Sequence, residues 1–200
     1  MLTNEEVAEP GGPEPGGPEP GGPEPGGPEP GQVDVRRVRP DQWAIYREVR
    51  LAALAEAPYA FSSTLERELA FAEEVWHRRL GSAVAATFLA WQGQEPAGTV
   101  AGKADDPDED FAVPGAWQLV GMWVDPAVRG LGVADRLVEA VAQHASTAGG
   151  ARSLVLWVTE MNDRARGFYQ RMGFVPTGAR QLVRPDEPDN WEMQLIRRLG

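Results

Sequence analysis

Apolar positions along the chain fall into two alternating periods, and these set the expected elements. The clearest is helical. Ala134, Leu137, Val138, Val141, Ala142 and Ala145 fall at i, i+3, i+4, i+7, i+8 and i+11, a single stripe closed by Gly149-Gly150. Just before it, Trp117 to Val124 reads as a strand, and just after it Leu154 to Val158 is a near-continuous apolar run. Such a run is expected of a strand covered on both faces. Nearer the start, Val33–Val38 predicts a short strand stopped by Pro40. Asp41 is placed to cap a helix carrying Trp43, Ile45, Val49, Ala52 and Ala53 to about Ala57. Pro58 breaks that helix, and Tyr59 to Thr64 bridges to a second one through Leu65, Leu69, Val75, Trp76 and Leu80. Val84–Trp91 and Ala97–Ala104 predict a hairpin around Gly93. Asn162–Met172 predicts a short helix, Gly173-Phe174-Val175 the start of a strand, and Trp191–Ile196 a last one. Strands followed by β-α-β-α-β predict a mixed α/β sheet whose central crossover pair is parallel.

One stretch has no such period. Residues 10–31 repeat PGGPE every five residues and hold half of all the prolines. With nothing to bury and like charges throughout, residues 1–31 are expected to be a disordered acidic tail, and residues 32–200 the folded domain. A docking peptide for a proline-binding module is the alternative use of such a tail.

Charge changes meaning once the tail is set aside. The net charge is −11, but residues 1–31 carry seven glutamates and no base, leaving 23 acids against 19 bases in the rest. A mildly acidic domain argues against nucleic acid as partner and leaves room for a cationic one. The start is acidic, without a signal-peptide core, and no apolar run approaches the roughly 20 residues that span a bilayer. A cytoplasmic protein without membrane contact is the expectation. The chain has no cysteine, so thiolate metal sites, disulfides and a cysteine nucleophile are excluded. His77 and His144 are spaced for no metal site, and none is expected.

The turn between strand and stripe, Val128-Arg129-Gly130-Leu131-Gly132-Val133-Ala134, invites three readings. A nucleotide-triphosphate loop needs Lys followed by Ser or Thr, and neither is present. A dinucleotide fingerprint needs a third glycine where Asp135 stands, and a carboxylate there would face the pyrophosphate. What remains is general: glycines that let backbone approach a ligand, free N–H groups at a helix N-terminus, and a fixed charge on Arg129. A turn whose glycines merely relieve strain is the competing explanation.

Two motifs in order then carry a resemblance. Arg129-x-x-Gly132-x-Ala134 is similar to the coenzyme A pyrophosphate loop of the GNAT superfamily of N-acetyltransferases, (Arg or Gln)-x-x-Gly-x-(Gly or Ala), and fits it at all three positions. Asn162-x-x-Ala165-x-x-Phe168-Tyr169-x-x-x-Gly173-Phe174 resembles that family's second signature. The resemblance covers about residues 32–200 and leaves the tail outside it.

What the resemblance implies can be carried over residue by residue. The fold is a mixed, mostly antiparallel sheet with a central parallel, splayed strand pair flanked by helices. Acetyl-CoA is the acyl donor cosubstrate. Met122, Trp123 and Val124 would give backbone groups to the pantetheine arm and an N–H to the thioester oxygen, on a strand whose bulge Gly121 could ease. Arg129, Gly130, Leu131, Gly132, Val133 and Ala134 would hold the pyrophosphate, and Asn162, Ala165 and Phe168 would complete the cofactor contacts. Asn162 could equally cap its helix. Tyr169 matches the general acid that protonates the leaving thiolate; a core tyrosine is the other reading of it.

Many relatives place a glutamate early on the bulged strand, but this chain reads Ala116-Trp117-Gln118-Leu119 there. Glu66, Glu160 and Glu192 stand as substitutes for the base. Trp43 and Trp76 are expected in the core; Trp117, Trp123 and Trp157 fall near the proposed slot. The acceptor pocket of the family is built from connections that here are Tyr59–Glu68, Asp105–Gly115 and Arg180–Asn190. The acids of the last two favour a small cationic amine, aminoglycoside-like or polyamine-like, taken up in a ternary complex. A peptide or protein amine is the alternative, and a non-catalytic acyl-CoA sensor the third. Nothing in the pattern excludes a homodimer.

Overall fold

A computed structural model describes residues 33–200, so the PGGPE segment lies outside the described residues. Seven strands form one sheet in the order β1-β2-β3-β4-β5-β7-β6. In chain order they are Val33–Arg37, Ala85–Gln92, Glu95–Ala104, Ala116–Val124, Ser153–Thr159, Val175–Leu182 and Trp191–Arg198. Every neighbouring pair is antiparallel except β4 and β5. The helices are α1 (Trp43–Glu56), α2 (Leu65–Leu69), α3 (Glu73–Leu80), α4 (Val133–Thr147) and α5 (Asp163–Arg171). None of them is long and apolar enough to cross a membrane among the described residues.

The stripe read from the sequence is the inner face of α4, with one change: Leu137, Val138, Val141, Ala142 and Ala145 are buried, but Val133 takes the place expected of Ala134, which is only half-buried. They join Leu154, Leu156 and Phe174 in the larger core, on one side of the sheet. Burying each of the larger side chains contributes about 1.5–3 kcal/mol, far more than helix propensity does. On the other side, α1 and α3 pack Tyr46, Val49, Leu54, Trp76 and Leu80 onto Leu89 and Trp123. The parallel β4-α4-β5 crossover thus stands where the pattern put it.

Two local expectations are corrected. Asp41 caps no helix: it sits in a tight 3₁₀ turn, Pro40–Gln42, and its carboxylate pairs with Arg39 at 3.1 Å. The second helix is two, α2 and α3, parted at Ala70–Ala72 where Phe71 folds back edge-on to Trp76. Leu69, expected inside, is 50% exposed, while its neighbour Glu68 is 1% exposed. Arg50 on α1 and Arg79 on α3 both reach the Glu68 carboxylate, so the inward face of α2 carries this paired acid in place of Leu69. The apolar pattern predicts no spatial order for the last strands; in the sheet β7 lies between β5 and β6. β6 is the edge, where Pro176 and a register break cost the ladder little.

Candidate active site

The site begins with a failure of pairing. β4 and β5 are joined at only three positions, Ala116–Gln118 against Ser153–Val155, after which they diverge. On the other side of β4 the register slips: Thr99 faces Trp123 and Ala101 faces Val120, so Gly121 and Met122 stand together against Val100. This is a bulge, and Gly121 at φ 64° supplies the left-handed residue it needs. The bulge bends β4 away from β5 and opens a slot of about 980 Å³.

The glycine turn closes one end of the slot. Asp125 accepts from the amide of Ala127 at 2.8 Å and starts a 3₁₀ turn over Pro126–Val128. Gly130 at φ 90° and Gly132 at φ 78° bring the chain to the start of α4. An added Cβ at either glycine would meet nothing within 4 Å, so it is conformation rather than crowding that calls for glycine. Among the described residues the amides of Gly130, Gly132, Val133, Ala134 and Asp135 have no acceptor. Unsatisfied N–H groups at the positive end of a helix make a site for an anionic group.

Of the residues proposed to hold the pyrophosphate, Arg129, Gly130, Gly132, Val133 and Ala134 line the slot. Leu131 does not; its side chain is 59% exposed. Arg129, expected to offer a fixed charge, is already engaged within the protein. Its Nε donates to the Val124 carbonyl at 2.9 Å and its Nη2 to Glu56 at 2.7 Å. Met122, Trp123 and Val124 form the β4 wall of the slot.

The opposite wall is α5. Asn162 caps it, accepting from the Ala165 amide at 3.0 Å, and also faces the slot, as do Ala165, Phe168 and Tyr169. Tyr169 is 7% exposed, packed edge-on between Phe168 and Phe174. Burial pushes its phenol well above the ordinary tyrosine range, so it is protonated at any ordinary pH. Arg171 covers Phe168 at 5.2 Å and pairs with Asp135 of α4 at 3.0 Å, tying the two helices across the mouth.

The three acids suggested as bases are placed differently, and none lines the slot. Glu66 is exposed on α2. Glu160 is held by Arg180 through two bonds of 2.5 and 2.7 Å, and that contact draws its carboxyl below the usual range. Glu192, beside Thr159 on β7, is pushed up by burial and accepts from Gln181 at 2.8 Å. The acid that does line the slot on the α1 side is Glu56, passed over in the sequence. Its signal was faint: an acid in the last turn of a helix opposes the macrodipole, which hints that something else holds it. Of the tryptophans, Trp123 lines the slot. Trp117 lies under α4, so close that a Cβ on Gly149 would fall 2.5 Å from its indole, and Trp157 packs edge-on to Phe111.

Of the connections expected around the acceptor, Asp105–Gly115 and Arg180–Asn190 contribute no residue to the lining of the slot. Tyr59 and Phe61 line the slot. Arg184 reaches the Phe61 carbonyl at 3.5 Å, and Gln194 of β7 donates to the Phe111 carbonyl at 2.9 Å. In the acidic loop Glu109 pairs with Lys103 at 3.4 Å, whereas Asp106, Asp108 and Asp110 are exposed and have no cationic partner among the described residues.

Comparison with known proteins adds to this geometry. The sequence profile described as the Acetyltransferase (GNAT) family matches residues 43–174. No curated protein sequence matches the chain. Among solved structures, the chain is similar to a GNAT-family acetyltransferase from Streptococcus pneumoniae, with a TM-score of 0.63 and 22% identity over 84% of this chain and 100% of that one. It is similar to the ribosomal-protein-S18-alanine N-acetyltransferase of Escherichia coli, with a TM-score of 0.60 and 13% identity over 84% and 95% of the two chains. An acetyl transferase of Salmonella typhimurium, which modifies the N-terminal serine of ribosomal protein L7/L12, gives a TM-score of 0.61 and 15% identity over 84% and 95%. Likeness at these identities speaks for the fold alone.

Proposed function

The chain belongs to the GNAT family of acetyltransferases, and from that premise we propose that it acetylates a primary amine of a small cationic molecule, aminoglycoside-like or polyamine-like. One observation carries the donor half. Five backbone amides without acceptors among the described residues, the splayed end of β4 and a buried tyrosine all face one slot.

Acetyl-CoA supplies an activated acetyl group as a thioester, with a diphosphate and a long amide-bearing arm to be held. The residues present fit such a group. The amides of Gly130 and Gly132–Asp135 suit the diphosphate, at a helix N-terminus where negative charge is stabilised. The unpaired edge of β4 at Met122–Val124 offers N–H and C=O groups to the arm's amides, in place of the ladder that β5 no longer provides. An N–H on that edge can also polarise the thioester oxygen. Tyr169, kept protonated by burial, holds the proton that the departing sulfur takes up. No side chain is assigned to the proton of the amine. Without cysteine the chain can form no cysteinyl acyl intermediate, so transfer is direct, in a ternary complex.

The acceptor class rests on charge. Asp106, Asp108 and Asp110, without cationic partners among the described residues, stand on a loop that reaches β7 through Phe111. Unpaired acids on the surface raise the local concentration of cations around the domain, an effect that salt screens. Two of the similar structures act on ribosomal proteins, which keeps a protein N-terminus as the second reading.

The test is a panel of polyamines, aminoglycosides and N-terminal peptides with acetyl-CoA, read by thiol release at low and high salt. Turnover of the polycations with a KM that rises with salt is expected. Turnover of the peptides alone would overturn the acceptor class. Tight CoA binding with no turnover on any amine would point to a sensor instead.

A further inference from the structure

The end of α1 meets the donor turn at one oxygen. Glu56 Oε2 accepts from Arg129 Nη2 at 2.7 Å and from Trp123 Nε1 at 3.1 Å. Arg129 in turn lays its Nε on the Val124 carbonyl at 2.9 Å. A helix, the last two residues of β4 and the glycine turn are thereby joined, through partners 73 and 67 residues apart in sequence. Glu56, Trp123, Val124 and Arg129 all line the slot. The hydrogen bond from Arg129, helped by that from the indole, holds the Glu56 carboxyl below its usual range.

A carboxylate beside a diphosphate site is at first sight misplaced, since like charges repel. Here its charge is already neutralised by Arg129, so its worth is geometric. The turn has two left-handed glycines and no side-chain cap at Gly132, the N-cap of α4. Short backbone bonds from Val128, Arg129 and Leu131 hold the first half of the turn to itself, but the amides of Gly130 and Gly132–Asp135 find no acceptor among the described residues. The clasp supplies a fixed point, from outside the turn.

We propose that Glu56 is a positioning residue of the donor site: acting through Arg129, it sets the Arg129–Ala134 turn against the splayed end of β4 before the diphosphate arrives. The proposal rests on the reading of this slot as the coenzyme A site.

The test is calorimetric binding of CoA, without acceptor, to the full chain and to Glu56→Ala, Arg129→Ala, the double variant and Glu56→Gln. Losing a charge-assisted clasp weakens CoA about 10-fold in each alanine variant. Because Glu56 acts on the turn through Arg129, the double variant binds within about twofold of Arg129→Ala alone. Glu56→Gln, whose amide oxygen still accepts from Arg129 and Trp123, recovers to within about threefold of the parent. In the protein without CoA, amide exchange at residues 129–134 quickens in Glu56→Ala, while that of the α1 and β2 cores does not. Unchanged or tighter CoA binding in both Glu56 variants overturns the proposal, as do losses that multiply in the double variant. Should the parent chain itself not bind CoA, the reading of the slot falls, and the clasp with it. A parent that binds normally beside an indifferent Glu56→Ala refutes the clasp alone.

Discussion

Glu68→Gln tests the most exacting piece of packing in the protein. Glu68 is 1% exposed and accepts from Arg50 at 2.9 and 3.1 Å and from Arg79 at 3.1 Å. The glutamine keeps the shape and one acceptor oxygen but removes the charge. Arg79 is partly exposed and can turn to water, but Arg50 is 8% exposed, and one of its terminal nitrogens already lacks a partner. Removing one member of a buried pair costs about 3–5 kcal/mol, and the remaining bond to glutamine puts this case near about 3. In a domain of this length that lowers the melting temperature by about 6–12 °C. Urea and thermal unfolding of parent and variant measure it. Replacing both partners by apolar residues, Arg50→Met with Glu68→Leu, should return stability to within about 1 kcal/mol of the parent. The pH dependence has a sign. Burial pushes Glu68 up, but the hydrogen bonds and charge of Arg50 and the charge of Arg79 leave it below its ordinary 4.5. The pair's contribution is therefore fully present above about pH 4.5 and is lost as pH falls through the lower folded value. Glu68→Gln lacks this acid limb. A loss under about 1 kcal/mol, or an unchanged acid limb, would refute the reasoning. Arg50 also lies over the Phe61 ring at 4.7 Å, so the variant should disturb a wall of the slot as well as the core.

Other consequences follow from single side chains. Tyr169→Phe keeps the packing and removes the proton, so kcat should fall by about 10²-fold or more while CoA affinity, read by calorimetry, stays within about twofold. Intact turnover would show that Tyr169 is only a core residue. Gly149→Ala places a methyl 2.5 Å from the Trp117 indole and should cost about 1–3 kcal/mol in urea unfolding, although Gly149 itself is exposed. Deleting residues 1–31 should leave the melting temperature and the amine turnover unchanged; a large fall in either would mean the tail is more than an appendage.

Much of the donor side was legible because it is local. The α4 stripe follows from a period that any helix must obey, and the glycine turn from conformations only a few residues adopt, both within about twenty residues of chain. The bulge, by contrast, came only with the family resemblance, and Gly121 is where the structure puts it. What escaped depends on partners far apart. Nothing near Glu68 says that it is buried; only Arg50, 18 residues earlier, and Arg79, 11 later, make burial affordable and split the expected helix. Glu56 meets its partners across 67 and 73 residues. The place of β7 between β5 and β6 is likewise decided by long-range pairing, which hydrophobic periodicity does not encode.

The seam of three residue pairs between β4 and β5 divides the sheet into two leaves, four strands in one and three in the other. Inside each leaf neighbouring strands run on in long ladders; between the leaves the rungs stop early and α4 serves as the spine. A donor seated in the gap stands in for the missing rungs, so binding there is also a form of mending. Any molecule that touches both leaves should stabilise them against parting, by about 2.7 kcal/mol when present at a hundred times its dissociation constant, and so raise the melting temperature. The opening that admits the substrate is thus the place where the unliganded sheet is least finished.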